Sequence, residues 1–465
     1  MRAGLAKSRL SSTDRGQKVR SRQAIYLRIP ACAFRQGLDA RRTSHAMSYN
    51  IRRRATASER RATGRPWQLT MKKCALLTAA LIAASPVRAE APAPLPPDPV
   101  ISMRQHWLDA DINSYNFRNS AQIFETRTVA RGGKTWPLAK GPAATLPADY
   151  DAWARRTYTN ALLVIHDGRI TFENYRNRTT PEDRFISFSM AKTITALLVG
   201  LAVEDGKIRS IDDPVSAYVP ELKGGGYDGV SIRHVLQMRS GVAYEERYDF
   251  GANPSLAALI HMNAIVANKE RFADRARTIG KASEPGSRFN YATLDTAVLG
   301  WVVERATGEK LASYMSRRLW QPAGMEADGF WIADGPEGTG RELSGMGYNA
   351  RLRDFGRLGL MLLNKGKANG RQVVPAGWVQ QQTTMIPFAD SSALGLGRGY
   401  GFQTWQLDDE PGAYSAVGLA GQFIYVHPAT NTVIVKLSHF PNPEPAGVVE
   451  ETLKGFHAIV AGYRK

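Results

Sequence analysis

The chain has 465 residues, 43% of them hydrophobic, enough to bury one large core or two smaller ones, which marks it as globular rather than disordered. Its formal net charge of +19 sits mostly at one end, because residues 1–70 hold 17 Lys and Arg against Asp14, Asp39 and Glu59, and residues 71–89 add Lys72, Lys73 and Arg88. Residues 90–465 carry 41 basic and 39 acidic side chains, a net of +2, so the body offers no basic face for a phosphate backbone and no nucleic-acid partner is expected.

Residues 1–70, with Arg52-Arg53-Arg54 and Arg60-Arg61, show no helical or strand period and no capped apolar run. The expectation is a disordered basic extension, or a stretch upstream of the true start. From Met71 the sequence MKKCALLTAALIAASPVRA has a basic start, an apolar run from Cys74 to Ala84, and Val87 and Ala89 at cleavage-site spacing. This is the layout of a secretory signal peptide over 71–89, and its apolar run is too short for a stable membrane span. It predicts a periplasmic or secreted product that begins at Glu90. Both cysteines, Cys32 and Cys74, precede that point, so the mature chain has none for a disulfide, zinc or thiol site. The prolines of residues 90–100 favour an extended tether, and the folded domain is expected over 101–465.

Ala161–His166 and Arg169–Tyr175 are two β-type runs around Asp167-Gly168, a pair suited to the positive φ angles of a tight hairpin. Ala191–Val203 is apolar almost all round, which predicts a buried helix. Far downstream, Gln422–His427 and Thr432–Ser438 flank Pro428-Ala429-Thr430-Asn431 as a second hairpin. The arrangement predicts an α+β fold: an antiparallel sheet built from the two chain ends, flanked by helices, with an inserted, mostly helical region over roughly 205–400.

Ser189-Met190-Ala191-Lys192 is the one Ser-x-x-Lys of the chain, and it opens the buried helix. That spacing puts a hydroxyl and an amine one turn apart on the same helix face, where the amine can take the hydroxyl proton. The bland alternative is an N-capping serine and a surface lysine, but an all-apolar helix leaves Lys192 no wet face. Burial disfavours the charged amine, so its pKa should fall and a neutral lysine becomes a usable base. The Ser189 N–H, at a helix N-terminus, suits a developing negative charge.

The stretch FSMAKTITALLVGLAVEDGKIRSIDDPVSAYVPEL resembles the nucleophile region of the class C β-lactamase and penicillin-binding-protein superfamily, and the likeness runs from about residue 160 to the C-terminus. The resemblance implies a β-lactamase/transpeptidase-like fold. It also implies that Tyr291, after Pro285-Gly286, stands where the superfamily's Tyr-x-Asn tyrosine shares the proton, with Thr293 in place of the asparagine. The superfamily's Lys-Thr-Gly or His-x-Gly triplet has no counterpart after Tyr291. Gly418-Leu419-Ala420-Gly421-Gln422 stands there instead, a form that resembles the branch of 6-aminohexanoate-dimer hydrolases and related esterases. By that likeness the Leu419 N–H, following Gly418, is the second oxyanion donor, although both glycines could equally be turn residues. In Leu236–Gly241, followed by Tyr244 and Tyr248, the same likeness suggests Tyr248 as an aromatic that closes over substrate, against the alternative of a loop ring covering apolar neighbours.

No Gly-x-Ser-x-Gly, His-Glu-x-x-His, Walker or Rossmann pattern competes, and the chemistry needs no metal or organic cofactor. Tyr400–Trp405 is a strand-like aromatic run, core or pocket wall. The resulting expectation is a serine hydrolase that cleaves a small-molecule amide or ester through an acyl-enzyme on Ser189. Without the Lys-Thr-Gly lysine, strong penicillinase activity is not expected. The alternatives are a non-catalytic relative that binds cell-wall peptide or acts as a scaffold, or a D-alanyl carboxypeptidase or β-lactamase. The sequence leaves the oligomeric state open.

Overall fold

The structure, a computed structural model, describes residues 98–388 and 396–464. The basic extension, the leader and the tether up to residue 97 lie outside the described residues. Asp98 caps a first helix, Pro99–Gln105, by accepting the Val100 N–H at 2.8 Å, with proline in the first turn where its missing N–H costs nothing.

Both hairpins read from the sequence form, and they lie side by side. Strands β1 (Thr159–His166) and β2 (Arg169–Tyr175) pair across Asp167 and Gly168, whose φ angles of 47° and 73° are those of a turn that matches strand twist. The remaining strands of this sheet are β3 (Ile386–Pro387), β4 (Gly399–Tyr400), β5 (Trp405–Gln406), β6 (Tyr414–Gly418), β7 (Gln422–His427) and β8 (Thr432–Ser438). Their order is β2-β1-β8-β7-β6-β5-β4-β3, antiparallel throughout, with Val433 opposite Ile165 and Val435 opposite Leu163. The early hairpin and the late one thus pair directly, β1 against β8.

Four longer helices frame it: α1 (Met190–Glu204), α2 (Thr293–Thr307), α3 (Leu352–Leu363) and α4 (Val448–Ala461). Helix α3 covers the face that carries Leu163, Ile165, Val433 and Ile424, while Phe456 of α4 meets Phe423 and Tyr425 on the opposite face. With both faces covered, every residue of β8 is buried, which is why these strands read as near-continuous apolar runs rather than alternating ones. Helix α1 is buried from Met190 to Ala202 and packs against α2 and β6, as its apolar circumference predicts.

Residues 205–400 are mostly short helices, with two departures from the expected insertion. Helix α3 belongs to the main sheet, and β3 and β4 extend that sheet's edge. A second sheet that the sequence does not advertise joins Thr126–Val129, Gly329–Ile332, Tyr348–Ala350 and Phe185–Ile186 in that order. Its strands of two to four residues are too short to show a period. Phe185–Ile186 leads directly into Ser189, so this sheet anchors the start of α1. Among the described residues no helix is long and apolar enough to cross a membrane.

Candidate active site

Ser189 occupies the N-cap position of α1 with φ −66° and ψ −5°, yet its side chain makes no capping bond. Its Oγ instead accepts a hydrogen bond from Lys192 Nζ, one turn on, at 3.0 Å. The preceding Phe188 holds φ at +42°, a conformation that costs a bulky residue about 1–3 kcal/mol. It is kept there by rings of Trp107 and Phe117 at 5.4 and 4.9 Å, while the Ser187 N–H donates to the Tyr348 carbonyl at 2.7 Å. The result is a tight turn that sets Ser189 on the wall of a cleft.

Lys192 is 1% exposed, and its Nζ faces three acceptors: Ser189 Oγ at 3.0 Å, Thr293 Oγ1 at 3.0 Å and the Gly345 carbonyl at 2.8 Å. Burial lowers its pKa to about 8, against the opposing pull of the nearby Glu246 carboxylate. Tyr291 closes the group, with its ring centroid 5.0 Å from Lys192 Nζ and its hydroxyl near that of Ser189. Burial, and then the charge of Glu246, push the Tyr291 phenol far above its ordinary range, so it keeps its proton at neutral pH. Trp405 at 5.4 Å and Tyr400 at 6.3 Å hold the Tyr291 ring, so the aromatic run at 400–405 is both core and cleft wall.

The sequence reading assigns no role to Glu246, which lies in the same loop as Tyr248. Its carboxylate accepts the Thr293 N–H at 2.7 Å, the Thr293 hydroxyl at 2.9 Å and the Tyr248 hydroxyl at 2.7 Å. Tyr248 is half-buried on the cleft wall beside Phe250 and His261, whose imidazole burial pushes down to about 4. A lone acid in a loop matches no motif, and only the fold brings it to the lysine.

Across the cleft, β6 ends at Gly418 and the chain turns through Leu419, Ala420 and Gly421 into β7, so the Leu419 N–H lies past the strand pairing. Gly418 is required by close approach, since a Cβ there would lie 2.2 Å from the Ser187 carbonyl. Gln422 holds the turn with its amide, which donates to Ala420 O at 3.1 Å and Ser438 O at 2.9 Å. Glu444, a second residue that sequence reasoning misses, accepts the Ala420 N–H at 2.8 Å. Burial pushes the Glu444 carboxyl up to about 7, and the buried Lys436 on β8 pulls the other way. Of the site residues read from the sequence, Ser189, Tyr291, Tyr248, Gly418 and Leu419 line one cleft, and Lys192 lies behind it, hydrogen-bonded to Ser189 and under the Tyr291 ring.

That cleft encloses about 1020 Å³, its mouth included. Its wall is largely apolar, with Trp107, Phe188, Trp405, Phe423 and Phe440 prominent. Glu246 and Glu444 are its acidic side chains, and among the described lining residues none is Lys or Arg.

A helix-opening Ser-x-x-Lys pair beside a helix-flanked antiparallel sheet defines a hydrolase of the β-lactamase and penicillin-binding-protein superfamily. Residues 144–458 match the β-lactamase family model, and the chain belongs to that family. The 6-aminohexanoate-dimer hydrolase of Paenarthrobacter ureafaciens is 31% identical over 353 residues, which cover 73% of this chain and 88% of that protein. Esterase EstB of Burkholderia gladioli is 32% identical over 209 residues, 41% of this chain and 52% of that protein. Among solved structures, one from Bacillus anthracis, provisionally described as a 6-aminohexanoate-dimer hydrolase, superposes with a TM-score of 0.65 at 22% identity, covering 76% of this chain and 95% of that one. EstCE1, a hydrolase with promiscuous acyltransferase activity, superposes with a TM-score of 0.52 at 19% identity, covering 67% of this chain and 99% of that one. These structural likenesses establish the β-lactamase-like α+β fold.

Proposed function

We propose that the protein cleaves small esters or amides through an acyl-enzyme on Ser189. The observation that carries this reading is the buried Lys192 amine 3.0 Å from Ser189 Oγ, its pKa lowered to about 8, on the wall of an apolar cleft. Ser189 Oγ attacks the carbonyl carbon as Lys192 Nζ takes its proton. The Ser189 and Leu419 N–H groups hold the oxyanion. Tyr291, a neutral phenol, passes a proton to the departing alcohol or amine and regains one from Lys192. Water then attacks the acyl carbon under the same base and frees Ser189.

The cleft's chemistry narrows the substrate. The Glu246 carboxylate on the wall, with no Lys or Arg among the described lining residues, disfavours substrates that carry a carboxylate beside the scissile amide, as penicillins do. Neutral or amine-bearing esters and amides fit better, linear ω-amino-acid oligomers among them, in keeping with the names of the two curated relatives.

The test is a fluorophosphonate probe, which needs no substrate guess. The wild-type protein is expected to label, with the adduct on the peptide containing Ser189, and Ser189→Ala to remain unlabelled. A folded wild-type protein that did not label would mean a binding relative rather than an enzyme.

A further inference from the structure

A protonated lysine can donate to all three of the acceptors around Lys192, but the neutral base has two N–H bonds and one lone pair. To act on Ser189 it must spend its N–H bonds on the other two acceptors, Thr293 Oγ1 and the Gly345 carbonyl, at 3.0 and 2.8 Å. The carbonyl can only accept. The Thr293 hydroxyl can donate or accept, so its direction has to be set by something else.

Glu246 sets it. An ionised carboxylate accepts only, and Glu246 Oε1 lies 2.9 Å from Thr293 Oγ1, so the threonine proton points to the acid and its lone pair is left for Lys192. The Thr293 N–H, donating to Oε2 at 2.7 Å, locks the carboxylate plane in place. The Tyr248 hydroxyl completes the carboxylate's set at 2.7 Å, and that links a cleft-wall ring to the lysine through two intervening groups.

We propose that Glu246 is a positioning residue that, through the Thr293 hydroxyl, aims the lone pair of Lys192 at Ser189 and couples that aim to the seating of Tyr248. The inference rests on the acyl-enzyme reading above. It explains why a threonine serves where the superfamily pattern has an asparagine: with a fixed acceptor behind it, a hydroxyl presents a lone pair as reliably as an amide oxygen.

The charge of Glu246 has a second, separable effect. The titratable groups around Lys192 are Tyr291 and Glu246, and Glu246 in turn interacts with Tyr244, Tyr248 and Asp295. A negative charge favours the ammonium, so its removal lowers the lysine pKa and lets the base form at lower pH. Glu246→Gln keeps the shape but can offer Thr293 an N–H. It should therefore lower the plateau of kcat roughly 10-fold or more while the ascending limb of the pH profile moves to lower pH. A purely structural role would lower the plateau without moving the limb.

The experiment measures kcat and KM for p-nitrophenyl butyrate from pH 5.5 to 9.5 for the wild type, Glu246→Gln, Thr293→Val and the double variant. The expected result is loss in kcat rather than KM, the acid-shifted limb in Glu246→Gln, and a double variant no worse than the worse single one, because the two residues act as a unit. Thr293→Ser, which keeps the hydroxyl, should recover most of the rate lost in Thr293→Val, so the Thr293 pair still tests the relay if Glu246→Gln fails to fold. An unshifted limb, whether or not the plateau falls, or fully additive losses, would overturn the role of Glu246. Fluorophosphonate labelling of the wild type separates this from failure of the acyl-enzyme reading, which would leave Ser189 unlabelled.

Discussion

At the scale of the residue, the environment divides the work between two groups that would titrate close together in water. Burial moves the lysine down to about 8 and the tyrosine far up, so from about pH 8 upward the lysine can accept a proton while the tyrosine still has one to donate. Hydrolysis should therefore rise with pH through a limb near 8 as Lys192 loses its proton; a profile flat from pH 6 to 9 would point to another base. Replacing the lysine needs care. Lys192→Ala deletes a costly buried polar group, but it also strips the Gly345 carbonyl and the Thr293 hydroxyl of their donor and opens a cavity. Lys192→Met fills the space, and it should retain the fold by circular dichroism while cutting turnover by roughly 10²–10⁴-fold, as loss of a general base requires. Near-normal esterase activity in a folded Lys192→Met protein would remove the lysine from the mechanism.

At the scale of the element, the cleft depends on two turns that approach each other until a side chain at Gly418 would strike the Ser187 carbonyl. One turn is held by packing, with Phe188 wedged between Trp107 and Phe117; the other is held by polar contacts, through Gln422 and Glu444. Glu444→Ala orphans the Ala420 N–H, next in the chain to the proposed oxyanion donor, and leaves Lys436 without its acid. We expect kcat to fall about 10-fold with little change in KM, short of the 10²–10³-fold seen when an oxyanion donor is deleted outright. Glu444→Gln, which retains an acceptor for that N–H, should recover most of the rate. Wild-type kinetics in Glu444→Ala would show that Gln422 alone suffices to hold the turn.

At the scale of the whole molecule, what the sequence reveals follows the range of the interaction. The Asp167-Gly168 hairpin, the apolar α1 and the Ser-x-x-Lys spacing are local patterns, and the structure bears out the strands and the helix with ends that shift by at most two residues. Glu246, Glu444 and the second sheet are set by contacts between distant segments, and neither a loop acid nor a two-residue strand leaves a local trace. The N-terminal segment is the largest case. The family match begins at residue 144, yet Trp107 and Leu108 line the cleft. The same segment supplies Phe117, whose carbonyl accepts the Ile186 N–H at 2.8 Å, Asn113, whose amide reaches Phe440 O at 3.1 Å, and Ser120, which bonds Asn349 at 2.7 Å. It thus grips both sides of the site, the nucleophile turn and the chain following β8, and Thr126–Val129 beyond it forms an edge of the second sheet. A protein that starts at residue 144 should then melt well below one that starts at Glu90 and should label slowly, although it contains every residue of the proposed chemistry. Trp107→Ala in the longer protein should reproduce part of the loss, at about the 3–5 kcal/mol typical of a buried tryptophan. If the shorter protein matched the longer one in both melting temperature and labelling rate, the N-terminal segment would be a dispensable cover; slow labelling with unchanged melting would confine its role to the shape of the cleft.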